Sequence, residues 1–293
     1  MTAPDTSRIS PTAHYTSYVW YRNGLSHPAL ATTTGSLFYA GMGLVDRLSA
    51  ACGGPRIEPM LLCRHHLIDR VLERAIESGE IGQVVEVAAG LSGRGVRLTR
   101  RHEHLRFVEG DLPGMSAQKR ERLGRAGLSS PRHHVVPMNA LADLGEHALA
   151  QVVDDILEPD VGTAIVTEGL TPYFDPDIVG QMWRRFVRVL SGYRAGLYLG
   201  DLYTRDTIGQ VPGSRLALLS MSAFTRGSVH LHFDDAKDAA EAARAAGFER
   251  WTIHDRSGVA DLDLGRGAGL ARVLEAWVTS RAANPRPDSA GTP

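Results

Sequence analysis

Cysteine is scarce in this 293-residue chain, which contains only Cys52 and Cys63. The two residues lack the C-x-x-C spacing of redox and zinc motifs, and two thiols cannot form the disulfide framework of a small secreted domain. We therefore expect both cysteines to be reduced thiols in a cytoplasmic protein.

Long apolar runs and an excess of one charge are also lacking. No stretch approaches the roughly 18 apolar residues of a membrane helix. The first thirty residues carry Asp5, Arg8, His14 and Arg22, which argues against a signal peptide. Lysine and arginine number 32 against 33 acidic residues, so no strong field favours nucleic acid or an anionic membrane. The sequence predicts a cytoplasmic protein with neither partner, and leaves a homodimer open.

The chain is expected to contain one main domain with an aromatic segment before it. Residues 1–10 and 281–293 are polar or rich in Pro, Ser, Ala and Gly, which predicts disordered tails. Residues 11–57 are predicted to form a cap of short helices that packs over another part of the protein and has no hydrophobic core of its own. Residues 58–280 are predicted to form the main domain, because no linker or repeat divides them.

Short β-branched runs alternate with helical patterns across this domain. The predicted strands are Val84–Ala88, Leu105–Val108, His134–Met138, Ala164–Thr167, Gly196–Gly200 and Phe248–His254, with a seventh element over Leu270–Val278. The predicted helices are Glu58–Gly79, Ser116–Arg125, Glu146–Leu157, Asp177–Leu190 and Asp234–Ala246. This alternation indicates an α/β fold with a doubly wound, mostly parallel sheet. Ligands of such sheets bind at the carboxyl ends of the strands.

The first predicted strand ends in a loop of small residues, Ala88-Ala89-Gly90. Small residues let the backbone approach a ligand closely. The loop is not G-x-G-x-x-G and no P-loop lysine follows, which favours a ligand with an adenosine but no phosphate. Glu86 lies inside this apolar strand, so its carboxylate needs a partner; a structural anchor is the alternative.

Acidic residues end the next strands. Asp111 lies about 20 positions after the glycine loop, where a carboxylate can accept hydrogen bonds from ribose hydroxyls. Glu109 also qualifies, and Asp111 could instead cap a helix. Asn139 follows the third strand and could read an adenine edge. Glu168 follows the fourth strand, with Tyr173 within loop reach.

Five stretches in register give the chain a specific resemblance. They are Arg64–Asp69 (RHHLID), Gln83–Arg94 (QVVEVAAGLSGR), Phe107–Pro113 (FVEGDLP) with Lys119, Glu168–Leu170 with Tyr173, and Ala246–Phe248. On these residues the chain resembles the leucine carboxyl methyltransferase family, in particular its bacterial branch of polyketide-type O-methyltransferases. The resemblance implies a seven-stranded, Rossmann-like class I methyltransferase domain with an N-terminal helical cap, and S-adenosyl-L-methionine as the cofactor.

The resemblance also implies a role for single residues. Arg64 would bind the methionine carboxylate, Asp111 would hold the ribose, and Glu168 would receive the methionine ammonium or shape the pocket floor. Tyr173 would lie on the substrate side. The remaining cofactor-site residues implied are Glu86 inside the strand, Ala88 and Gly90 through their backbone, and Asn139 and Ala140 facing the adenine.

Two departures from the family pattern concern this site. Ala88 replaces the first glycine of the loop, which we expect to be tolerated with a negative φ. Asn139 stands where many members carry aspartate, which leaves the adenine hydrogen bonds open. The N-terminal region matches the protein-modifying members of the family poorly, so their protein substrate is not expected.

The expected reaction is in-line methyl transfer to a carboxylate or hydroxyl of a small, aromatic or polyketide-like acceptor, for which alignment is the main requirement. A carboxylate needs no base, whereas a phenol would call for one such as His14 or His230. The aromatic residues that we expect to contact the acceptor are Tyr15, Tyr18, Tyr173 and Tyr203.

Three alternatives stay open. His230-Leu231-His232 could serve a zinc site, but we expect no metal and interpret these residues as polar groups near the substrate mouth. The chain could be a methyltransferase-fold binding protein without activity. An NAD-dependent oxidoreductase would also use Asp111, although the missing G-x-G-x-x-G argues against it.

Overall fold

One seven-stranded sheet forms the centre of the molecule. The computed structural model of the chain describes residues 10–51, 53–209 and 230–279. The strand order is β3-β2-β1-β4-β5-β7-β6, and the five strands from β3 to β5 are parallel, while β7 runs antiparallel to β5 and β6. The strands are β1 (Gln83–Val87), β2 (Arg106–Asp111), β3 (His133–Pro137), β4 (Thr163–Thr167), β5 (Ala195–Leu202), β6 (Arg250–His254) and β7 (Arg272–Thr279).

Helices cover both faces of the sheet. The described helices are α1 (Ser10–Arg22), α2 (Thr33–Ala51), α3 (Ile57–Glu77), α4 (Arg94–Arg101), α5 (Pro113–Arg125), α6 (Leu149–Asp154), α7 (Pro176–Leu190), α8 (Arg205–Gly209) and α9 (Ala236–Ala246). Every residue of β1 and β4 is buried, as expected for central parallel strands with helices on each side. The doubly wound, mostly parallel α/β sheet predicted from the sequence is confirmed.

The cap shares its core with the main domain. Tyr15, Val19 and Trp20 of α1 pack in the same buried cluster as the apolar face of α3 and one face of the sheet. The cap therefore has no separate core, as expected. The prediction of short helices was wrong for α2, which has 19 residues.

The segment after β3 also differs from the prediction. A helix was expected over Glu146–Leu157, but α6 covers only Leu149–Asp154. The backbone N–H of Asn139 donates to the carbonyl of His147 at 2.8 Å. This bond and the bridge between Asn139 and Ala148 close the intervening turns and hold His147 and Ala148 outside the helix, so the helix begins later than its apolar pattern suggested.

The loop after β1 begins with a strained residue. Ala88 has a φ of +55°, and it is the one non-glycine residue among those described with a positive φ. The expectation that alanine would sit there with a negative φ was wrong. A left-handed conformation costs an L-residue with a Cβ roughly 1–2 kcal/mol. The loop keeps this geometry because its backbone is held against β2, with Ala89 N–H donating to the Gly110 carbonyl at 3.1 Å.

The Ala88→Gly variant is therefore expected to be more stable than the wild type. Removing the Cβ relieves the left-handed strain, and the greater freedom of glycine in the unfolded chain offsets part of the gain. We expect the free energy of unfolding to rise by about 0.5–1 kcal/mol in urea titrations.

The neighbouring Ala89→Gly variant is the matched control, since Ala89 has no positive φ. We expect it to lose about 0.5–1 kcal/mol, as glycine normally does in a rigid position. A stability loss in both variants would contradict strain at Ala88.

Candidate functional site

A cavity lies at the carboxyl ends of β1 and β4, beneath the cap. The loop after β1 forms one wall, the loop after β4 a second, and helices α1, α2 and α3 close the rest. Its lining residues are Thr12, Ala13, Tyr15, Thr16, Trp20, Met42, Ile57, Leu61, Arg64, Glu86, Ala88, Ala89, Gly90, Leu91, Ser92, Glu168, Gly169, Leu170 and Tyr173.

Asp111 ties the end of β2 to the loop after β1. Its Oδ2 accepts a hydrogen bond from the Gly90 N–H at 2.7 Å, and its Oδ1 accepts one from the Leu112 N–H at 2.7 Å. Burial raises the pKa of Asp111, and these two backbone donors partly offset that shift. The side chain thus stands next to the Ala88–Gly90 turn, as the sequence predicted, although it does not line the cavity itself.

Arg64 of α3 crosses the floor of the cavity. Its Nε donates to Glu168 Oε1 at 3.0 Å, and its Nη1 donates to Asp201 Oδ2 at 3.1 Å and to the Tyr203 hydroxyl at 3.0 Å. Asp201 Oδ1 in turn accepts from the Gly169 N–H at 2.7 Å. These bonds fix the guanidinium against the ends of β4 and β5.

Arg94, the first residue of α4, connects three carboxylates from three elements. Its Nε donates to Asp69 Oδ1 at 2.6 Å, its Nη2 donates to Glu168 Oε2 at 2.6 Å, and its Nη1 pairs with Glu86. The Arg94 side chain is 0% exposed. Since Asp69 lies on α3, Glu86 on β1 and Glu168 after β4, one buried cation holds the three elements together.

His65 and Arg97 complete this network of charges. The His65 Nδ1 lies 2.9 Å from Glu168 Oε2, and Arg97 Nη2 donates to Asp69 Oδ2 at 2.6 Å. Burial alone would raise the pKa of Glu168, but His65, Arg94 and Arg64 outweigh it and hold that pKa well below its usual range. Glu168 is therefore an anion, and each of its two oxygens already accepts a hydrogen bond from a buried arginine.

Two further charged side chains of this network, Glu86 and Arg64, line the cavity wall. Glu86 Oε2 is buried and has no hydrogen-bond partner, although Glu86 itself is only 2% exposed. Arg64 donates its hydrogen bonds to described residues through Nε and Nη1, and its third nitrogen, Nη2, would lie 3.2 Å from a Cβ placed on Gly169. Burial raises the pKa of Glu86 and Arg94 lowers it, with burial dominant. An unpaired acidic oxygen and a guanidinium group thus belong to the same cavity.

Helix α1 lies directly on the glycine loop. A Cβ on Gly90 would lie 3.1 Å from the Cβ of Ala13, and one on Gly93 would lie 2.8 Å from the Cα of Ser26. Trp20 stacks on the ring of His65 with 4.3 Å between centroids. The glycines are required here because the cap leaves no space for side chains.

Two of the four aromatic residues expected at the acceptor line the cavity. They are Tyr173 and Tyr15, and a side-chain hydrogen bond with Thr12 links Tyr173 to α1. Burial is the largest influence on both hydroxyls and raises the pKa of each. Neither tyrosine can therefore supply a phenolate base near neutral pH.

The other two expected acceptor residues do not line the cavity. Tyr18 packs against the rings of Tyr21 and Tyr39, with centroid distances of 5.8 and 5.4 Å, because it faces the outer side of α1. Tyr203 lies behind Arg64, whose Nη1 donates to its hydroxyl. Its predicted substrate contact is corrected to support of Arg64.

Neither histidine considered as a base reaches the cavity wall. His14 Nδ1 lies 3.0 Å from the Thr32 hydroxyl, since it points toward the loop between α1 and α2. His230 Nε2 lies 3.7 Å from Asp175 Oδ1, and its backbone N–H donates to the Pro172 carbonyl at 2.8 Å. Both lie beside the site rather than within it.

The residues expected at the adenine also lie outside the cavity lining. Asn139 Oδ1 accepts from the Leu141 N–H at 3.0 Å, so this amide oxygen is used within its own turn. The Ala140 carbonyl accepts from Arg185 Nη1 at 3.1 Å. Five expected cofactor residues do line the cavity: Arg64, Glu86, Ala88, Gly90 and Glu168.

Sequence reasoning gave no role to Arg94, Asp69 or His65. A signal was present, because His65 and Asp69 lie four residues apart on the buried face of α3 and need a charged partner. Ala13, Thr12 and Thr16 carried no such signal, since small and polar residues in a first helix are unremarkable without the three-dimensional contact.

The structure offers no support for the metal alternative. In residues 10–51, 53–209 and 230–279, no three His, Cys, Asp or Glu side chains are grouped to hold a metal ion. His230 and His232 are not on a strand; their rings stack with centroids 6.1 Å apart. No helix in the same part of the chain is long and apolar enough to cross a membrane. Cys63 is buried, and burial raises its pKa to about 11; Cys52 lies outside the described residues.

The Arg94→Met variant is expected to be strongly destabilised. Removing the guanidinium leaves Asp69, Glu86 and Glu168 without a shared cation in a buried site, which costs about 3–5 kcal/mol for a broken buried pair. Urea unfolding followed by circular dichroism measures the loss.

The Arg101→Met variant is the control on the same helix. Arg101 pairs with Glu73 at 3.0 Å, but its side chain is 60% exposed. We expect a change of at most about 1 kcal/mol. Similar losses in the two variants would show that Arg94 does not hold the three elements together.

Comparison with known proteins shows which sequences and structures this chain is similar to. The sequence model of the family described as leucine carboxyl methyltransferase matches residues 43–187. A protein of Mycolicibacterium gilvum (strain PYR-GCK), assigned by name as an S-adenosyl-L-methionine-dependent methyltransferase, is 28% identical over 199 residues, which cover 67% of this chain and 56% of that protein. The match thus spans little more than half the length of that relative.

Solved structures agree on the fold. The S-adenosylmethionine-dependent methyltransferase SibL, in its apo form, is 18% identical with a TM-score of 0.50 and covers 94% of this chain and 72% of its own. A protein assigned as a methyltransferase from Thermobifida fusca YX is 14% identical with a TM-score of 0.61 and covers 96% and 100%. The chain therefore has the α/β, Rossmann-like fold of these two solved methyltransferases, and its residues 43–187 are similar in sequence to the leucine carboxyl methyltransferase family.

Proposed function

We propose that the chain binds S-adenosyl-L-methionine in this cavity and transfers its methyl group to an oxygen of a small acceptor. The observation that carries the proposal is that one cavity wall holds both Glu86 Oε2, which is buried without a hydrogen-bond partner, and Arg64, whose hydrogen bonds in the described part of the chain come from Nε and Nη1. An amino acid end carries an ammonium and a carboxylate, and these two side chains match that pair of charges.

This arrangement changes the role proposed for Glu168. The family resemblance implied that Glu168 would either receive the ammonium or shape the pocket floor, and its oxygens contact Arg64, His65 and Arg94, whereas Glu86 Oε2 has no partner. We assign the ammonium to Glu86 instead, with Glu168 orienting Arg64 and Arg94. Arg64 keeps its proposed role at the methionine carboxylate.

The sugar would bind at Asp111. Each carboxylate oxygen has a second lone pair besides the one used by Gly90 or Leu112, so a ribose hydroxyl can still donate to it. The Gly90 bond also sets the distance between the carboxylate and the turn. Asn139 and Ala140 remain the candidates for the adenine because they follow the adjacent strand β3.

The cofactor supplies an electrophilic methyl on a sulfonium, and the protein supplies alignment and a dry site. We expect the cap to limit the entry of water, because Ala13 lies against Gly90 and the Tyr173 hydroxyl is hydrogen-bonded to Thr12. Correct alignment of reacting atoms alone can contribute about 7–11 kcal/mol.

The acceptor half of the cavity points to a largely apolar molecule. Trp20, Met42, Ile57 and Leu61 line it, which suits an aromatic or polyketide-like acceptor. The ionisable groups among the described lining residues are two tyrosines, one arginine and two glutamates, and none is left as a base once Glu86 holds the ammonium of the cofactor. The acceptor oxygen must therefore arrive ionised, which favours a carboxylate over a phenol.

The two other functions are less well supported. A binding protein without activity would use the same cofactor site, and only turnover distinguishes it. An NAD-dependent oxidoreductase would need space and donors for a pyrophosphate, whereas the loop after β1 is covered closely by Ala13 and Ser26.

The Glu86→Gln variant should weaken binding of S-adenosylhomocysteine. Glutamine keeps an oxygen for Arg94 but removes the charge for the ammonium, so we expect a loss of about 1.5–3 kcal/mol in isothermal titration calorimetry. The Glu275→Gln variant is the control, because Glu275 is a half-buried carboxylate on β7 that binds His254 and Arg74 away from the cavity. Equal affinity of wild type and Glu86→Gln would remove the assignment.

Methyl transfer should depend on the acceptor's own ionisation. With tritiated S-adenosyl-L-methionine and a panel of apolar acids and phenols, we expect carboxylic acids to react at rates nearly constant from about pH 6 to pH 9. Phenols should react faster as pH rises toward their pKa near 10. A bell-shaped profile for a carboxylic acid would reveal a protein base, and cofactor binding without turnover would favour the binding protein.

A further inference from the structure

Helix α2 packs against the core through a mixed face. Met42 is buried in the core cluster, and Phe38 and Tyr39 pack against it. On the same side, Asp46 accepts from the Ile57 N–H at 3.0 Å, and Ser49 donates to the Pro55 carbonyl at 2.8 Å. Apolar and polar contacts together therefore hold the inward face of α2.

The outward face of α2 also carries apolar residues. Leu37, Leu44 and Leu48 are 69%, 60% and 62% exposed. At about 100° per residue, these leucines and Gly41 fall within roughly 60° of the helix circumference. A surface helix normally has a single apolar stripe toward the core and polar residues on its outer face, so a second stripe on the outside of α2 is unusual.

The exposed stripe of Leu37, Leu44 and Leu48 contains a gap at Gly41, which has no side chain. A Cβ placed on Gly41 would have no neighbouring atom within 4 Å, so this position is open to solvent. Ala40 and Ala51 flank the stripe, and Arg47 is the single charged residue among the exposed positions of α2. The outer face of α2 is therefore nearly uncharged, which suits an apolar partner.

We propose that this stripe, formed by Leu37, Gly41, Leu44 and Leu48, is the interface of a homodimer. In an antiparallel arrangement about a two-fold axis midway between Gly41 and Leu44, each Leu44 faces the open Gly41 of the other copy. The same axis places Leu37 opposite Leu48. The stripe is therefore complementary to itself, which is the requirement of a two-fold interface.

The extent of the stripe suits such a contact. A helix of 19 residues is about 28 Å long, and the leucines span most of its length. Two helices paired along this length give an interface toward the small end of the range for specific complexes. The glycine and alanine positions allow the close approach of helix axes that such an interface needs.

Dimerisation would also hold one wall of the cavity. Met42 lies on the opposite side of α2 and lines the cavity. A partner packed on the outer face would restrict outward movement of α2, so the interface is placed where it can shape the acceptor half of the site.

The first test is the oligomeric state of the full chain by sedimentation velocity over a range of concentrations. We expect a dimer for the wild type and at least a tenfold weaker dimer for Leu44→Glu and, separately, for Leu48→Lys. Leu144→Glu is the matched control, because Leu144 is 90% exposed but lies outside the stripe; its dimer should be unchanged.

The second test fixes the geometry by cross-linking in a Cys52→Ala background. A mixture of Leu37→Cys and Leu48→Cys chains should form a disulfide between the two kinds of chain, since the proposed pairing brings these positions together. Either chain alone should not, because identical positions would be about 16 Å apart along the axis, beyond disulfide reach.

Several outcomes would overturn the proposal. The first is a wild type that stays monomeric at all concentrations, whether the stripe is then covered by another segment of the chain, by a lipid vesicle or by nothing. The second is a dimer that neither stripe variant weakens. The third is a disulfide between two Leu37→Cys chains. Circular dichroism of each variant separates loss of the dimer from loss of folding.

Discussion

The buried guanidinium of Arg94 is the interaction on which the site depends. It joins Asp69 of α3, Glu86 of β1 and Glu168 after β4, three segments that are far apart in sequence. Full burial of a cation is tolerated only with several anionic partners, so the positions of all three carboxylates are fixed together. The cavity floor is therefore set by electrostatics as much as by packing.

Two features of the cavity follow from this constraint. Glu86 pairs with Arg94 through Oε1, which leaves Oε2 buried without a hydrogen-bond partner. Arg64 pairs with Glu168 through Nε and with Asp201 through Nη1, which leaves its third nitrogen, Nη2, for a ligand. The network thus leaves one atom of an acidic side chain, Glu86, and one atom of a basic side chain, Arg64, available to a ligand. This is the physical basis for assigning the amino acid end of the cofactor to these two residues.

The sequence predicted the architecture and the neighbourhood of the site because both depend on local patterns. Strand runs, their order along the chain and the rule that ligands bind at strand ends were sufficient to bring Asp111 next to Gly90. Side-chain direction was not predictable in this way. Tyr173 and Tyr203 follow neighbouring strands, yet one lines the cavity and the other lies behind Arg64. The strain at Ala88 and the contact of Ala13 with Gly90 depend on how the cap sits, which no local pattern specifies.

A crystal structure of the chain with S-adenosylhomocysteine tests the central assignment most directly. In such a structure we expect the ligand ammonium within hydrogen-bond distance of Glu86 Oε2, the ligand carboxylate at Arg64 Nη2 and the ribose at Asp111. A ligand whose ammonium contacts Glu168 while Glu86 Oε2 stays unpaired, or a ligand bound outside the wall formed by Ala88–Gly90, would contradict it.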